Sequence, residues 1–140
     1  MIVLDTNVFS EAMRANRAPE VRSWLNAQAI PTLHITTITL AELRIGITTA
    51  PVGRKTADLS ARIDRTMELL IEDRVLPFDA AAADAYASAF AVARANGLAV
   101  SAMDGLIAGT CLARGMPIAT RDTTPFEAMG VRVIDPWNAI

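Results

Sequence analysis

Four acidic residues, Asp5, Glu42, Asp104 and Asp122, stand where carboxylates could work together. Asp5 ends the apolar run Ile2-Val3-Leu4, and Glu42 lies within Leu40-Ala41-Glu42-Leu43. Asp104 interrupts an almost wholly apolar stretch from Ala99 to Ala113, and Asp122 follows Pro117-Ile118-Ala119-Thr120 shortly after. Acids in surroundings that should be buried raise one another's pKa unless a cation neutralises them. No lysine or histidine lies near them in sequence, so a hard divalent ion held by oxygen ligands, Mg²⁺ or Mn²⁺, is the natural counterpart. Such an ion makes water nucleophilic at neutral pH, and a pair stabilises the attacking and leaving oxygens of in-line phosphodiester cleavage. Thr6, Asn7 and Thr120 are placed to support the carboxylates through hydrogen bonds. Arg44 and Arg121 could meet phosphates or pair with neighbouring acids, and Glu11 is either an outer acid or an exposed helix residue.

Each acid also has a purely structural reading. Asp5 and Asp122 fit helix N-caps. Asp104 fits the reciprocal position of a capping box opened by Ser101, where the helix dipole favours it. Glu42 fits an ordinary solvated helix position. Whether the four arrive at one place separates the readings, and that depends on the elements carrying them.

Ile2–Leu4 reads as a buried strand. A short helix from Thr6 follows, then a second from about Glu20 to Ala29 with Val21, Trp24 and Leu25 on one stripe. Leu33–Thr37 is a second strand, and a helix from about Thr39 runs to Pro51-Val52-Gly53. Arg54–Asp73 reads as one amphipathic helix, with an Asp58–Arg62 pair on its solvated face. Val75–Phe78 is a third strand, and Asp79 caps an Ala-rich helix, Ala80–Asn96, that Gly97 stops. A helix from Ser101 to Gly115, a strand over Pro117–Thr120, a short helix around Pro125–Met129 and a fifth strand, Val131–Ile134, complete the order.

Strands separated by helices make right-handed crossovers, so the expected fold is one α/β domain over residues 1–140: three layers, α/β/α, around a mostly parallel five-stranded sheet. Ligands of such sheets bind outside the carboxyl ends of the strands. Chain direction brings Asp5, Glu42 and Asp122 to that edge. Asp104 joins them if its helix runs antiparallel to the strands.

Composition narrows the function classes. With 52% hydrophobic residues among 140, the chain can build a sizeable core. A net charge of -2 argues against a duplex-coating protein. Among the cations only Lys55 is lysine; the others are arginines, which suit phosphate and carboxylate forks. The lone Cys111 and the lone His34 exclude an intrachain disulfide, a thiolate metal cluster and a histidine triad. Asp5 interrupts the N-terminal apolar run, and no uncharged stretch is apolar enough to span a bilayer. The expectation is a cytoplasmic protein without leader or membrane contact.

Asp5-Thr6-Asn7-Val8, Ala41-Glu42-Leu43-Arg44, Asp104-Gly105 with Ile107-Ala108, and Ala119-Thr120-Arg121-Asp122-Thr123 resemble the motifs of PIN-domain ribonucleases. They are similar in particular to those of the VapC-type toxin subunit of VapBC toxin–antitoxin modules, in its FitB-like branch, whose chains also end in a sequence like Pro136-Trp137. The resemblance runs through the whole chain. It implies a Mg²⁺- or Mn²⁺-dependent endoribonuclease with Asp5, Glu42, Asp104 and Asp122 as its acidic quartet. It further implies a homodimer, RNA as substrate, and a VapB-type antitoxin that occludes the site and carries the contact with operator DNA.

Two other enzyme readings are weak. A dehalogenase-type phosphatase needs an acid where Asn7 stands, and a receiver domain needs an acidic pair after the first strand. The remaining alternative is a PIN-like regulatory binding subunit with little or no nuclease activity.

Overall fold

The computed structural model describes residues 1–139. Five short strands form one sheet: β1 (Ile2–Leu4), β2 (Leu33–Thr36), β3 (Val75–Leu76), β4 (Ile118–Ala119) and β5 (Val133–Ile134). Their order is β3-β2-β1-β4-β5, with β1 at the centre, and every pairing is parallel. Parallel neighbours cannot be joined by hairpins. Helices therefore fill the connections: α1 (Thr6–Met13), α2 (Pro19–Asn26), α3 (Thr37–Thr48), α4 (Arg54–Thr66), α5 (Ala80–Ala95), α6 (Ala102–Arg114) and α7 (Thr124–Ala128). Among the described residues no helix is long and apolar enough to cross a membrane.

Side chains alternate across a strand, so each strand feeds both faces of the sheet. Val3 and Ile118, which pair across β1 and β4, pack with Ile107 and Cys111 of α6 and Phe126 of α7. Leu4 and Ala119, the next pair, pack on the opposite face with Val8 and Phe9 of α1, Leu43 of α3 and Ile63 of α4. The result is a three-layer α/β/α sandwich. Helices α1, α3 and α4 cover one face, and α5, α6 and α7 cover the other. β1 and β4 thus carry helices on opposite faces, which makes their carboxyl ends the topological switch point where ligands of such sheets bind.

Several boundaries differ from the sequence reading. The long amphipathic helix is α-helical only to Thr66 and widens into a π-turn over Met67–Ile71. It closes through the Glu72 N–H on the Met67 carbonyl, with Glu72 in a left-handed conformation at φ 57°. The extra residue in the turn seats Ile71, fully buried, below the sheet. Arg74 fastens the turn by donating to the carbonyls of Leu33, Ile30 and Leu70. The Asp58–Arg62 pair is not among the ion pairs of the described residues. α2 stops at Asn26, and Ile30–Thr32 forms a separate 3₁₀ turn, since the residue before Pro31 is disfavoured in α geometry. α3 begins at Thr37 because the Thr36 hydroxyl accepts the Thr39 N–H. β3, β4 and β5 are each two residues long.

α5 and α6 meet through Gly105 and Gly109. A Cβ at Gly109 would lie 2.7 Å from the Tyr86 Cβ and 2.8 Å from the Ala82 carbonyl oxygen. At Gly105 it would meet the Tyr86 ring at 2.5 Å. Only glycine permits this approach, and it sets the position of the first turn of α6, which carries Asp104.

Candidate functional site

Asp5 stands at the carboxyl end of the central strand and is 6% exposed. It does cap α1, but the cap uses only half of the carboxylate. Oδ1 accepts the Thr6 N–H at 2.8 Å, while Oδ2 accepts the Thr120 hydroxyl at 2.8 Å. Thr120 in turn accepts from Asn7 Nδ2 at 3.1 Å and from the Asp122 N–H at 3.1 Å. Asn7 Oδ1 takes the Arg121 N–H at 3.2 Å. The short polar residues after β1 and β4 thereby lock the two strand ends together. Thr6, Asn7 and Thr120 all lie at this edge, Thr6 and Thr120 bonded to the acids and Asn7 to Thr120.

The other acids reach this edge by different routes. The Thr6 hydroxyl donates to Glu42 Oε1 at 2.9 Å, which ties half-buried Glu42 of α3 to the start of α1. Asp104 lies in the first turn of α6. The Ser101 hydroxyl accepts the Asp104 N–H at 3.2 Å, but the reciprocal half of the capping box is not made. Burial pushes the Asp5 carboxyl up from an ordinary 3.8 to about 6, against the Thr120 and Thr6 hydrogen bonds. The charges of Asp104 and Glu42 push it in the same direction. Three acids therefore share one electrostatic neighbourhood. Asp122 is exposed and joins the rim through its backbone. It is not the cap of α7, a position held by Thr123. Among the described residues no three Asp, Glu, His or Cys side chains stand close enough together to hold a metal ion as they are placed, so the acids share a neighbourhood without forming a closed ligand set.

The two arginines are committed elsewhere. Arg44 pairs with Asp64 of α4 at 2.9 Å, and the Arg121 guanidinium lies 4.9 Å from the centre of the Trp137 ring. Trp137 had no assigned part in the sequence reading beyond its motif, yet it holds the residue beside Asp122. Glu11 is neither an outer acid nor exposed: it is buried, and Oε1 accepts the Ala18 N–H at 2.7 Å. Cys111 is buried and its thiol is pushed up to about 12 by burial and by the Asp5 charge, which leaves it unreactive.

Thr120→Val removes the hydroxyl at the centre of this network while keeping its volume. We expect destabilisation of about 1–3 kcal/mol at neutral pH, the cost of an unpaired buried oxygen. The Asp5 carboxyl should titrate still higher, because the Thr120 bond is the largest influence holding it down. Denaturant unfolding and carboxyl-carbon NMR titration read the two effects separately.

The PIN domain profile matches residues 2–131. The plasmid stability protein StbB of Pseudomonas syringae pv. tomato is 48% identical over 99% of this chain and 100% of its own length. The VapC ribonuclease Y4jK of Sinorhizobium fredii is 44% identical over 99% of both chains. Among solved structures, FitAB bound to an IR36 DNA fragment contains a chain that matches with a TM-score of 0.91 at 37% identity, covering 100% of this chain and 98% of that one. An all-parallel sheet with acids gathered at the carboxyl end of its central strand accords with these likenesses, and the chain belongs to the PIN-domain family, among the VapC and FitB toxins.

Proposed function

We propose that this chain is the toxin of a type II toxin–antitoxin module and hydrolyses RNA phosphodiester bonds as a Mg²⁺- or Mn²⁺-dependent endoribonuclease. The observation that carries the reading is the buried Asp5 carboxylate, raised to about 6 and facing the charges of Asp104 and Glu42. Like charges in a poorly solvated place raise one another's pKa unless a counter-charge neutralises them, and none of the ion pairs among the described residues involves these acids. The donor set is all oxygen and anionic, which fits a hard divalent ion. Asp5, Glu42 and Asp104 would hold it, with Asp122 at the exposed rim. When bound, such an ion activates water and stabilises charge on the phosphate oxygens.

The protein's own residues do the positioning. Thr120 and the Thr6 N–H fix both oxygens of Asp5, and the Thr6 hydroxyl fixes Glu42. Asn7 braces Thr120 and the backbone at Arg121, so the rim beside Asp122 is held in register. RNA as the substrate is supported by the likeness to a VapC ribonuclease, and the likeness to FitAB on DNA supports an antitoxin partner through which alone DNA is contacted. A homodimer is part of the same reading, and the groove along α5 and α7, lined by Ala85, Ala89, Val92 and Met129, is one apolar surface open to it. Such a protein acts in the cytoplasm, where its RNA is.

The test uses the protein freed of any partner and a single-stranded RNA. Cleavage should require Mg²⁺ or Mn²⁺ and stop with EDTA. An intact fold that cleaves no RNA with any divalent ion would overturn the proposal in favour of a regulatory binding subunit.

A further inference from the structure

A second charged feature lies at the other end of α1. A groove of about 260 Å³ runs between the end of α1 with its following loop and the later part of α4, lined by Met13, Arg14, Arg17, Arg62, Arg65 and Leu69. Four of the chain's thirteen cations meet here, in a protein whose net charge is -2. Only Arg14 has an acidic partner, Glu11 at 3.4 Å, and Glu11 already accepts the Ala18 N–H with its other oxygen. Arg17, Arg62 and Arg65 have no carboxylate within 4 Å among the described residues. Arg62 and Arg65 stand three apart on one helix, a like-charge spacing that costs a helix stability rather than adding to it. The dipole at the end of α4 favours Arg65 in the last turn but does not account for Arg17 on a separate segment.

Unpaired guanidinium groups facing one groove fit phosphate oxygens, which they grip as planar forks. The groove is also suitably placed. α1 has Asp5 as its cap and Met13 as its last residue, eight residues that rise about 12 Å. A strand held at the acids is thereby tethered at high effective concentration next to the arginines. We infer that this arginine groove is a second anchoring track for the RNA, gripping the phosphate backbone away from the bond that is cut. The inference rests on the proposed ribonuclease reading. It adds a subsite, outside the acidic centre, that engages RNA through charge alone. An acidic protein segment is the competing occupant, and the measurement below separates the two.

The experiment measures binding of a fluorescent single-stranded RNA of twelve nucleotides, in EDTA so that nothing is cut, at several salt concentrations. The wild type should bind with a marked salt dependence. Arg17→Ala/Arg62→Ala/Arg65→Ala should bind at least about tenfold more weakly, with the slope of log affinity against log salt shallower by about two, since each phosphate contact on a single strand contributes about 0.7. The triple lysine variant, which keeps the charges, should retain the slope. Arg62→Glu, a single exposed change, serves if the triple variant melts early, and should lower the affinity in the same direction. With Mn²⁺ present, the alanine variant should raise KM on the same RNA and leave kcat unchanged.

Unchanged affinity and slope in the alanine variants would overturn the groove. Equally tight binding of a poly-glutamate peptide would also overturn it, by assigning the groove to an acidic protein segment. The two proposals fail separately. A wild type that binds RNA through these arginines but never cuts it removes the nuclease reading alone, and a wild type that cuts RNA with a KM indifferent to the arginines removes the groove alone.

Discussion

Asp5→Asn is expected to stop RNA cleavage and, in the same protein, to stabilise the metal-free fold. Removing an outer hydrogen-bond partner of a metal ligand already costs ten- to a hundred-fold, so if Asp5 holds the proposed ion its loss should cost more than about a hundred-fold. The stability effect has the opposite sign because Asp5 is strained electrostatically when charged. Its pKa is about 6 in the fold against an ordinary 3.8. The folded state thus holds its proton more tightly than the unfolded chain does. Below about pH 4 both states are protonated and Asp5 costs nothing. As pH rises from about 4 to 6 the penalty grows, and above 6 it is complete at about 3 kcal/mol, from two pKa units at 1.36 kcal/mol each. Asparagine keeps the cap on Thr6 without the charge, but its amide nitrogen cannot accept the Thr120 hydroxyl as Oδ2 does, which offsets about 1 kcal/mol of the gain. In divalent-free buffer at pH 7.5 the variant should therefore melt above the wild type, and the gap should close below about pH 4. Added Mg²⁺ or Mn²⁺ should raise the melting temperature of the wild type and not of the variant. A variant less stable than the wild type at both pH values would show Asp5 to be a structural cap first.

Gly109→Ala should be the most damaging single-methyl change in the chain. The new Cβ would meet the Cβ of Tyr86 and the carbonyl oxygen of Ala82, both within 2.8 Å. Neither is the loose end of a side chain, so α5 and α6 must separate, at a cost of about 1–3 kcal/mol for overpacking and more if the shift unseats Ile107 and Cys111. Gly105→Ala meets only the Tyr86 ring, which can turn, although Phe78 and Phe90 stand against it at 6.4 and 5.7 Å between ring centres. We expect Gly109→Ala to lower the denaturant midpoint more than Gly105→Ala. It should also reduce activity at temperatures where the protein is still folded, because the helix that moves carries Asp104. Equal midpoints for Gly109→Ala and the wild type would show that the helix pair is not held this closely.

Much of this was legible in the chain because it depends on local rules. A β-branched run ending on Asp5, helices between strands, and acids in apolar surroundings each have a direct physical meaning, and together they predict an edge shared by Asp5, Glu42, Asp104 and Asp122, of which Asp122 stands exposed at the rim. What was not legible depends on partners far apart in sequence. Nothing around Arg44 says that Asp64 will take it, nor around Arg121 that Trp137 will. The π-turn at Met67–Ile71 continues a helical pattern without a break, and only the need to seat Ile71 reveals it. Sequence alone does not separate a capping Asp5 from a functional one, because it does not show that the two oxygens of the carboxylate have separate partners. The arginine groove was invisible for the same reason as the ion pairs, since α1 and α4 are brought together only by the fold.

The bond between Thr120 and Asp5 joins residues 115 positions apart. Contacts of such long sequence separation form late, after the entropy of closing the intervening chain has been overcome. A ribosome extends a chain at about 5–20 residues per second, so for several seconds at least the nascent chain contains Asp5 but not the strand end that fixes it. The topology that places the first strand at the centre of the sheet therefore also acts as a delay: the acidic centre is assembled only after the 115 positions between Asp5 and Thr120 have been made, which leaves a partner time to be present before the site is.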